Sequence, residues 1–85
     1  MKISVLSKEE SYRIRHVSLN IEAQEEAKTH KMNVTIIENY DSYHKNYSYE
    51  VESINWLTDI KGLDIARIED VIEGYLIDNA EDILA

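Results

Sequence analysis

The chain has no cysteine, no proline and no phenylalanine, and only two glycines among its 85 residues. Without cysteine there is no disulfide framework, no thiolate metal site and no cysteine nucleophile. A cysteine-free domain of this size is expected in the reducing cytoplasm. With glycine confined to Gly62 and Gly74, there is neither a flexible linker nor a Gly-rich phosphate loop. No apolar run approaches the ~18 residues of a membrane span. Lys8-Glu9-Glu10 interrupts the apolar start far short of a signal-peptide core. Repeats and low-complexity tracts are also missing. Positive charge is scarce, with nine Lys+Arg against seventeen Asp+Glu and a formal charge of −8. That balance disfavours direct binding to nucleic-acid phosphates, so neither a nucleic acid nor a membrane is the expected partner.

What is present suits a folded chain. Hydrophobic residues make up 44% and charged residues 31%, which places residues 1–85 as one small domain with a modest core. Residues 2–6 read as a short strand. Ser7-Lys8-Glu9-Glu10 matches a capping box, and Ile14, Val17 and Ile21 recur at helical spacing. Glu22 to Lys31 is rich in helix formers, so the expectation is one long helix to about His30. A competing strand over residues 12–21 is suggested by Val17, Leu19 and Ile21 alternating with Ser18 and Asn20. Residues 33–38 are β-branched, and Tyr47 to Ser53 alternate strictly, with Tyr47, Tyr49 and Val51 on one face and Ser48, Glu50 and Glu52 on the other. Asn39 to Asn46, holding Asp41, Ser42 and Asn46, then forms the loop of a hairpin.

Asp64 is a good N-cap for a C-terminal helix, with Leu63 placed to staple onto Ile68. Ile65, Ile68, Val71, Ile72, Tyr75 and Leu76 share a stripe roughly 140° wide. Asn79 would fall inside that stripe, so the helix is expected to end near Ile77, with a short turn over 80–85. The expected fold is α+β: a small antiparallel sheet of about three strands, in β-α-β-β-α order, with helices packed on one face.

Charge is unevenly spread. Residues 1–58 carry nine acids and seven bases, whereas residues 59–85 carry eight acids against Lys61 and Arg67. Three quarters of the net charge therefore lies in the last third. Glu69, Asp70 and Glu73 are expected to project from the C-terminal helix. The like-charged pair Glu69/Glu73, four residues apart, mildly destabilises that helix. With Asp78, Glu81 and Asp82 they make a candidate negative patch, which Glu50 and Glu52 would extend. A fully helical 27-residue segment spans about 40 Å, a length over which duplex DNA carries roughly 24 phosphates. The patch can therefore occupy a sub-site for a few phosphates and not imitate a long duplex. Tyr47, Tyr49, Tyr75 and Trp56 are expected to fill the core, with Tyr12 the remaining tyrosine outside the hairpin. Tyr40 and Tyr43 in the hairpin loop are the candidate contact residues.

His16, His30 and His44 recur every fourteen residues. On one continuous helix the first two would stand about 21 Å apart, too far to share an ion whose ligand nitrogens lie within about 2.1 Å. No EF-hand loop and no nucleophile elbow occurs, so no metal, cofactor or catalytic residue is expected.

In overall character the chain resembles the small acidic inhibitor proteins of phages, of the host-takeover, anti-CRISPR and DNA-mimic type. It shares with them short length, absence of cysteine, an expected compact α+β fold, strong negative charge and several tyrosines, but no motif, so no residue roles carry over. The resemblance implies a non-enzymatic decoy in the host cytoplasm that docks on a basic nucleic-acid-handling protein: a nuclease, polymerase, nucleoid protein, or restriction or CRISPR effector. The alternative is a small regulatory or accessory module, homodimeric to gain burial.

Overall fold

The side chains of Val17, Leu19, Ile21 and Ala23 are all buried, while Ser18, Asn20 and Glu22 between them face away. At 100° per residue these four would scatter around a helix; only a strand puts them on one face. The computed structural model, which describes residues 1–10, 15–41 and 43–85, accordingly opens with strands β1 (Lys2–Glu10), β2 (Arg15–Glu25), β3 (Lys28–Asp41) and β4 (Asn46–Trp56). Helices α1 (Ile65–Asp78) and α2 (Ala80–Ile83) follow. The strands pair antiparallel in the order β1-β2-β3-β4.

This overturns the α+β, β-α-β-β-α expectation: the described residues form a four-stranded meander, and the fold is mostly β. The expected helix over residues 8–30 is replaced by the end of β1, all of β2 and the start of β3. Magnitudes explain the outcome. Helix propensities differ by at most ~0.7 kcal/mol per ordinary residue, whereas full burial of a Val, Leu or Ile side chain is worth about 1.5–3 kcal/mol. The strand suggested by alternation at residues 17–21 runs on to Glu25, and Glu26-Ala27 turns directly into Lys28, with Glu26 at φ 54°. The β3–β4 hairpin is present, with strands that run further and a shorter loop than expected. Tyr12, Ile14 and Ser42 lie outside the described residues.

The core is one layer between sheet and helix. Met32, Val34 and Ile36 of β3 join the β2 residues, and Ile68, Ile72 and Leu76 of α1, with Leu84, close over them. Asp64 caps α1 by accepting from the Arg67 amide at 3.3 Å, and Leu63 packs on the core. The helix ends at Asp78, and the Asn79 side-chain amide donates to the Tyr75 carbonyl at 2.8 Å. The buried stripe is narrower than expected: Val71 and Tyr75 are 42% and 41% exposed.

Among the described residues no helix covers the other sheet face, and several of its polar side chains bond one another. Asn33 Nδ2 donates to Ser18 Oγ (2.9 Å) and Asn20 Oδ1 (3.2 Å), and Asn20 Nδ2 donates to Ser7 Oγ (2.7 Å). Both edge strands are bulged, with Leu6 extra in β1 and Glu52 extra in β4. Among the described residues, no helix is long and apolar enough to cross a membrane.

One length mismatch positions the candidate site. Strand β3 and helix α1 each have 14 residues, but at about 3.3 Å per strand residue and 1.5 Å per helix residue they span roughly 46 Å and 21 Å. The helical layer ends before the hairpin does. The β3–β4 hairpin therefore overhangs the core, in keeping with a longest dimension of 45 Å against 21 and 18 Å.

Candidate functional site

The overhang carries the tyrosines. Tyr40 and Tyr47 face each other across β3 and β4 with ring centroids 4.9 Å apart, on the same sheet face as the core. Past the end of the helices that face is open, so Tyr47 is 56% exposed despite its core-type alternation. Tyr43 at the tip is 87% exposed and stacks edge-on against His44. The tip is held by Asp41, whose carboxylate accepts from the amides of Tyr43 (2.9 Å) and His44 (3.2 Å) and contacts His44 Nδ1 at 2.6 Å. The His44 ring, with these amides, holds the Asp41 carboxyl below the usual aspartate range. Tyr49, two pairs nearer the core on the same face, is half-buried. Its burial raises the phenol above its ordinary pKa, and the Glu38 and Glu81 carboxylates push the same way.

The acidic helix end lies beside the base of the tyrosine overhang: Arg15, paired with Glu38 opposite Tyr49, also donates to the Leu84 carbonyl just past α2. Among the described residues, two cations beside the helix end are engaged, while Lys45 stands exposed at the hairpin tip. Arg15 pairs with Glu38 at 3.1 Å and donates to the Leu84 carbonyl, and Lys8 Nζ donates to the carbonyls of Ile83 (3.2 Å) and Ala85 (3.0 Å). At the far end of α1, Arg67 grips Glu25 with both nitrogens, at 3.0 and 2.8 Å, which lowers the Glu25 pKa and raises that of Arg67. Asp70, Asp78, Glu81 and Asp82 are exposed, and among the described residues no Lys, Arg or His lies within ion-pair distance of them.

The ten candidate residues thus separate. Asp78, Glu81 and Asp82 sit at the helix end beside the overhang that bears Tyr40 and Tyr43, with Asp70 further back on the exposed side of α1. Glu69 does not project as expected: it is half-buried and accepts from Trp56 Nε1 at 3.0 Å. Glu73 is half-buried too. Glu50 and Glu52 lie on the opposite sheet face, where Glu50 shares a row with Ile37 and Glu52 approaches His16 Nδ1 at 3.4 Å. They do not extend the helical patch. Among the described residues, no three His, Cys, Asp or Glu side chains are grouped to hold a metal ion.

Three exposed residues, Tyr47, Val71 and Tyr75, carry sequence patterns that point to the core. The signal of exposure for the last two was their place on the rim of the 140° stripe, with Asp70 and Gly74 alongside. For Tyr47 it was the ratio of strand rise to helix rise, which leaves any long hairpin uncovered by a helix of equal residue count. A Cβ placed on Gly74 would meet nothing within 4 Å, so the Val71–Tyr75 ridge is open to contact. It forms an apolar centre flanked by Asp70 and Asp78, and a centre of aromatic and aliphatic groups within a polar rim is the usual anatomy of a protein interface. No family model matches this chain, and neither the curated proteins nor the solved structures contain a match.

Proposed function

We propose that the protein is a binding module that docks its acidic, tyrosine-bearing end on a basic surface of a partner protein. In its strongest form it is an inhibitor that occupies a groove used by a nucleic acid. The observation that carries this reading is the set of exposed carboxylates at Asp70, Asp78, Glu81 and Asp82, without cation partners among the described residues, beside the exposed rings of Tyr40, Tyr43 and Tyr47. Carboxylates that serve folding are usually paired or capping. These do neither for α1, and their mutual repulsion works against compactness. The rings supply apolar contact area with a hydroxyl that seeks a bond, and the acids supply steering and register. The reading agrees with the resemblance in overall character to acidic phage inhibitors, and it implies a reducing cytoplasm as the setting.

The test is capture from a lysate on immobilised protein at low and high salt, followed by competition with duplex DNA. A basic partner retained at low salt, released at high salt and displaced by DNA supports the decoy reading. Combined reversal of Asp70, Asp78 and Asp82 to Lys should abolish capture while leaving the circular dichroism spectrum intact. Capture that ignores both salt and the reversal would overturn it. A second reading, a regulatory module that self-associates through α1, draws on the exposed Val71–Tyr75 ridge beside Gly74. Sedimentation at micromolar concentration separates the two: a dimer abolished by Tyr75→Lys favours the second.

A further inference from the structure

The end of the molecule opposite the tyrosines has different chemistry. There, β3 begins at Lys28 and β4 gives way to the loop leading into α1. The loop is fastened in place. The Leu57 amide donates to the Lys31 carbonyl at 2.8 Å, the Lys31 amide to Thr58 Oγ1 at 3.2 Å, and the Lys61 amide to Asp59 Oδ1 at 3.0 Å. Gly62, at φ +78°, then reverses the chain, and the Leu63 amide closes the turn onto the Ile60 carbonyl at 3.1 Å. Between this loop and the start of β3 is a cavity of about 340 Å³, walled by Lys28, Thr29, His30, Thr58 and Lys61, with Asp59 at the loop side and Leu63 also lining it. That volume falls within the range of small-ligand sites, roughly 300–1,000 Å³.

His30 sets this cavity apart from a surface dent. It is 3% exposed, the one buried polar residue among those described, and its Nε2 makes no hydrogen bond within the protein. Buried polar atoms are nearly always bonded, and an exception points to a group supplied from outside the chain. The same cavity is lined by two lysines and two threonines, in a chain of net charge −8. Asp59, the carboxylate among the lining residues, already accepts from the Lys61 amide, and Glu25, close enough to interact with the His30 ring, is engaged by Arg67.

We propose that this cavity binds a phosphate group, free or at the end of a larger ligand. Lys28 and Lys61 supply the positive charge, the hydroxyls of Thr29 and Thr58 donate to phosphoryl oxygens, and the unpartnered His30 Nε2, shielded in the free protein, becomes a further donor when the wall shifts on binding. Charge-assisted donors converging on a tetrahedral anion are the arrangement such a group requires. The inference is independent of the tyrosine–acid surface and shares no residue with it.

The site contains its own reporter. Trp56, the single tryptophan, packs edge-on against His30 with ring centroids 5.6 Å apart. Inorganic phosphate and ribose 5-phosphate are titrated separately, with sodium chloride at matched ionic strength as control, reading Trp56 fluorescence and the amide resonances of residues 28–31 and 58–63. The expected result is a saturable change in both readouts with at least one phosphate probe and none with chloride. Tighter binding of ribose 5-phosphate assigns the site to a phosphate ester, and equal binding assigns it to free phosphate. Lys28 and Lys61 are exposed, so the double variant Lys28→Gln/Lys61→Gln keeps the fold and should weaken binding at least tenfold. The proposal is overturned if neither probe saturates, if chloride gives the same response, or if the double variant binds as the parent does.

Discussion

The two halves of the β3–β4 hairpin share one alternation and one sheet face, yet meet different surroundings. In the lower half, Met32, Val34 and Ile36 pair with Trp56, Ile54 and Val51 under the helix and are buried or nearly so. In the upper half, Tyr40 pairs with Tyr47 in the same sense and both are exposed. The difference lies in what covers them. A helix advances less than half as far per residue as a strand, so equal residue counts leave an overhang. The amphipathic pattern of a strand therefore marks a face without saying whether that face is covered, and tyrosine is a side chain that tolerates either condition.

Substitutions on the two halves separate them, beginning with the largest expected effect. Ile36→Ala, at the centre of the covered half, should destabilise the protein by about 3 kcal/mol through lost transfer energy and an unfilled cavity, read from urea unfolding. Tyr47→Ala in the overhang should cost at most about 1 kcal/mol, since it removes one cross-strand pair and little burial. Equal losses at the two positions would mean that the overhang is covered after all. Glu26→Gly, at the turn that joins β2 to β3, should raise stability by about 0.5 kcal/mol. The positive φ is unfavourable for a residue with a Cβ by about 1–2 kcal/mol, and the freedom glycine brings to the unfolded chain offsets part of that gain.

Titration sharpens the contrast without mutation. Asp41 and Glu25 have lowered folded pKa values, held down by His44 and Arg67 respectively. Their contribution is present above the ordinary carboxylate pKa, near 4, and disappears as pH falls through the lowered values. The tip contact and the Glu25–Arg67 pair should then open in acid while the buried half persists, seen as changes in the His44 and Arg67 side-chain resonances ahead of global unfolding. Tyr49 has a raised pKa. Its contribution is full below the ordinary tyrosine value of about 10 and is lost as pH rises through the folded one. Alkaline loosening should begin at the hairpin junction, measured by tyrosinate absorbance.

The sequence made some of this legible and concealed the rest for physical reasons. The α1 boundaries followed from Asp64 and from the unwelcome amide of Asn79, both local chemistry. The faces of β4 followed from period-two alternation as far as Val51; the extra residue Glu52 then shifts the phase, so that Ile54 and Trp56 take the core face. The β2 strand was concealed because Glu22 to Lys31 favours a helix locally, and only pairing with β3 makes the extended form better. Placing the acids required knowing what lies beside α1. Glu69 turns to Trp56, a contact between residues 13 apart in sequence that no helical wheel reveals. His30 as a cavity wall was unreadable for the same reason: Lys28 and Lys61 meet only because β3 starts where β4 ends.

The bulges at Leu6 and Glu52 bear on how the molecule behaves at high concentration. Each of the two outermost strands carries one residue too many for an even ladder, so an incoming strand from another copy would find its amides out of step with their acceptors partway along. A long, tyrosine-tipped hairpin would otherwise be a template for fibril growth. The kinked rims disfavour a fifth strand, so both proposed binding places lie at the ends of the sheet and not along its edges.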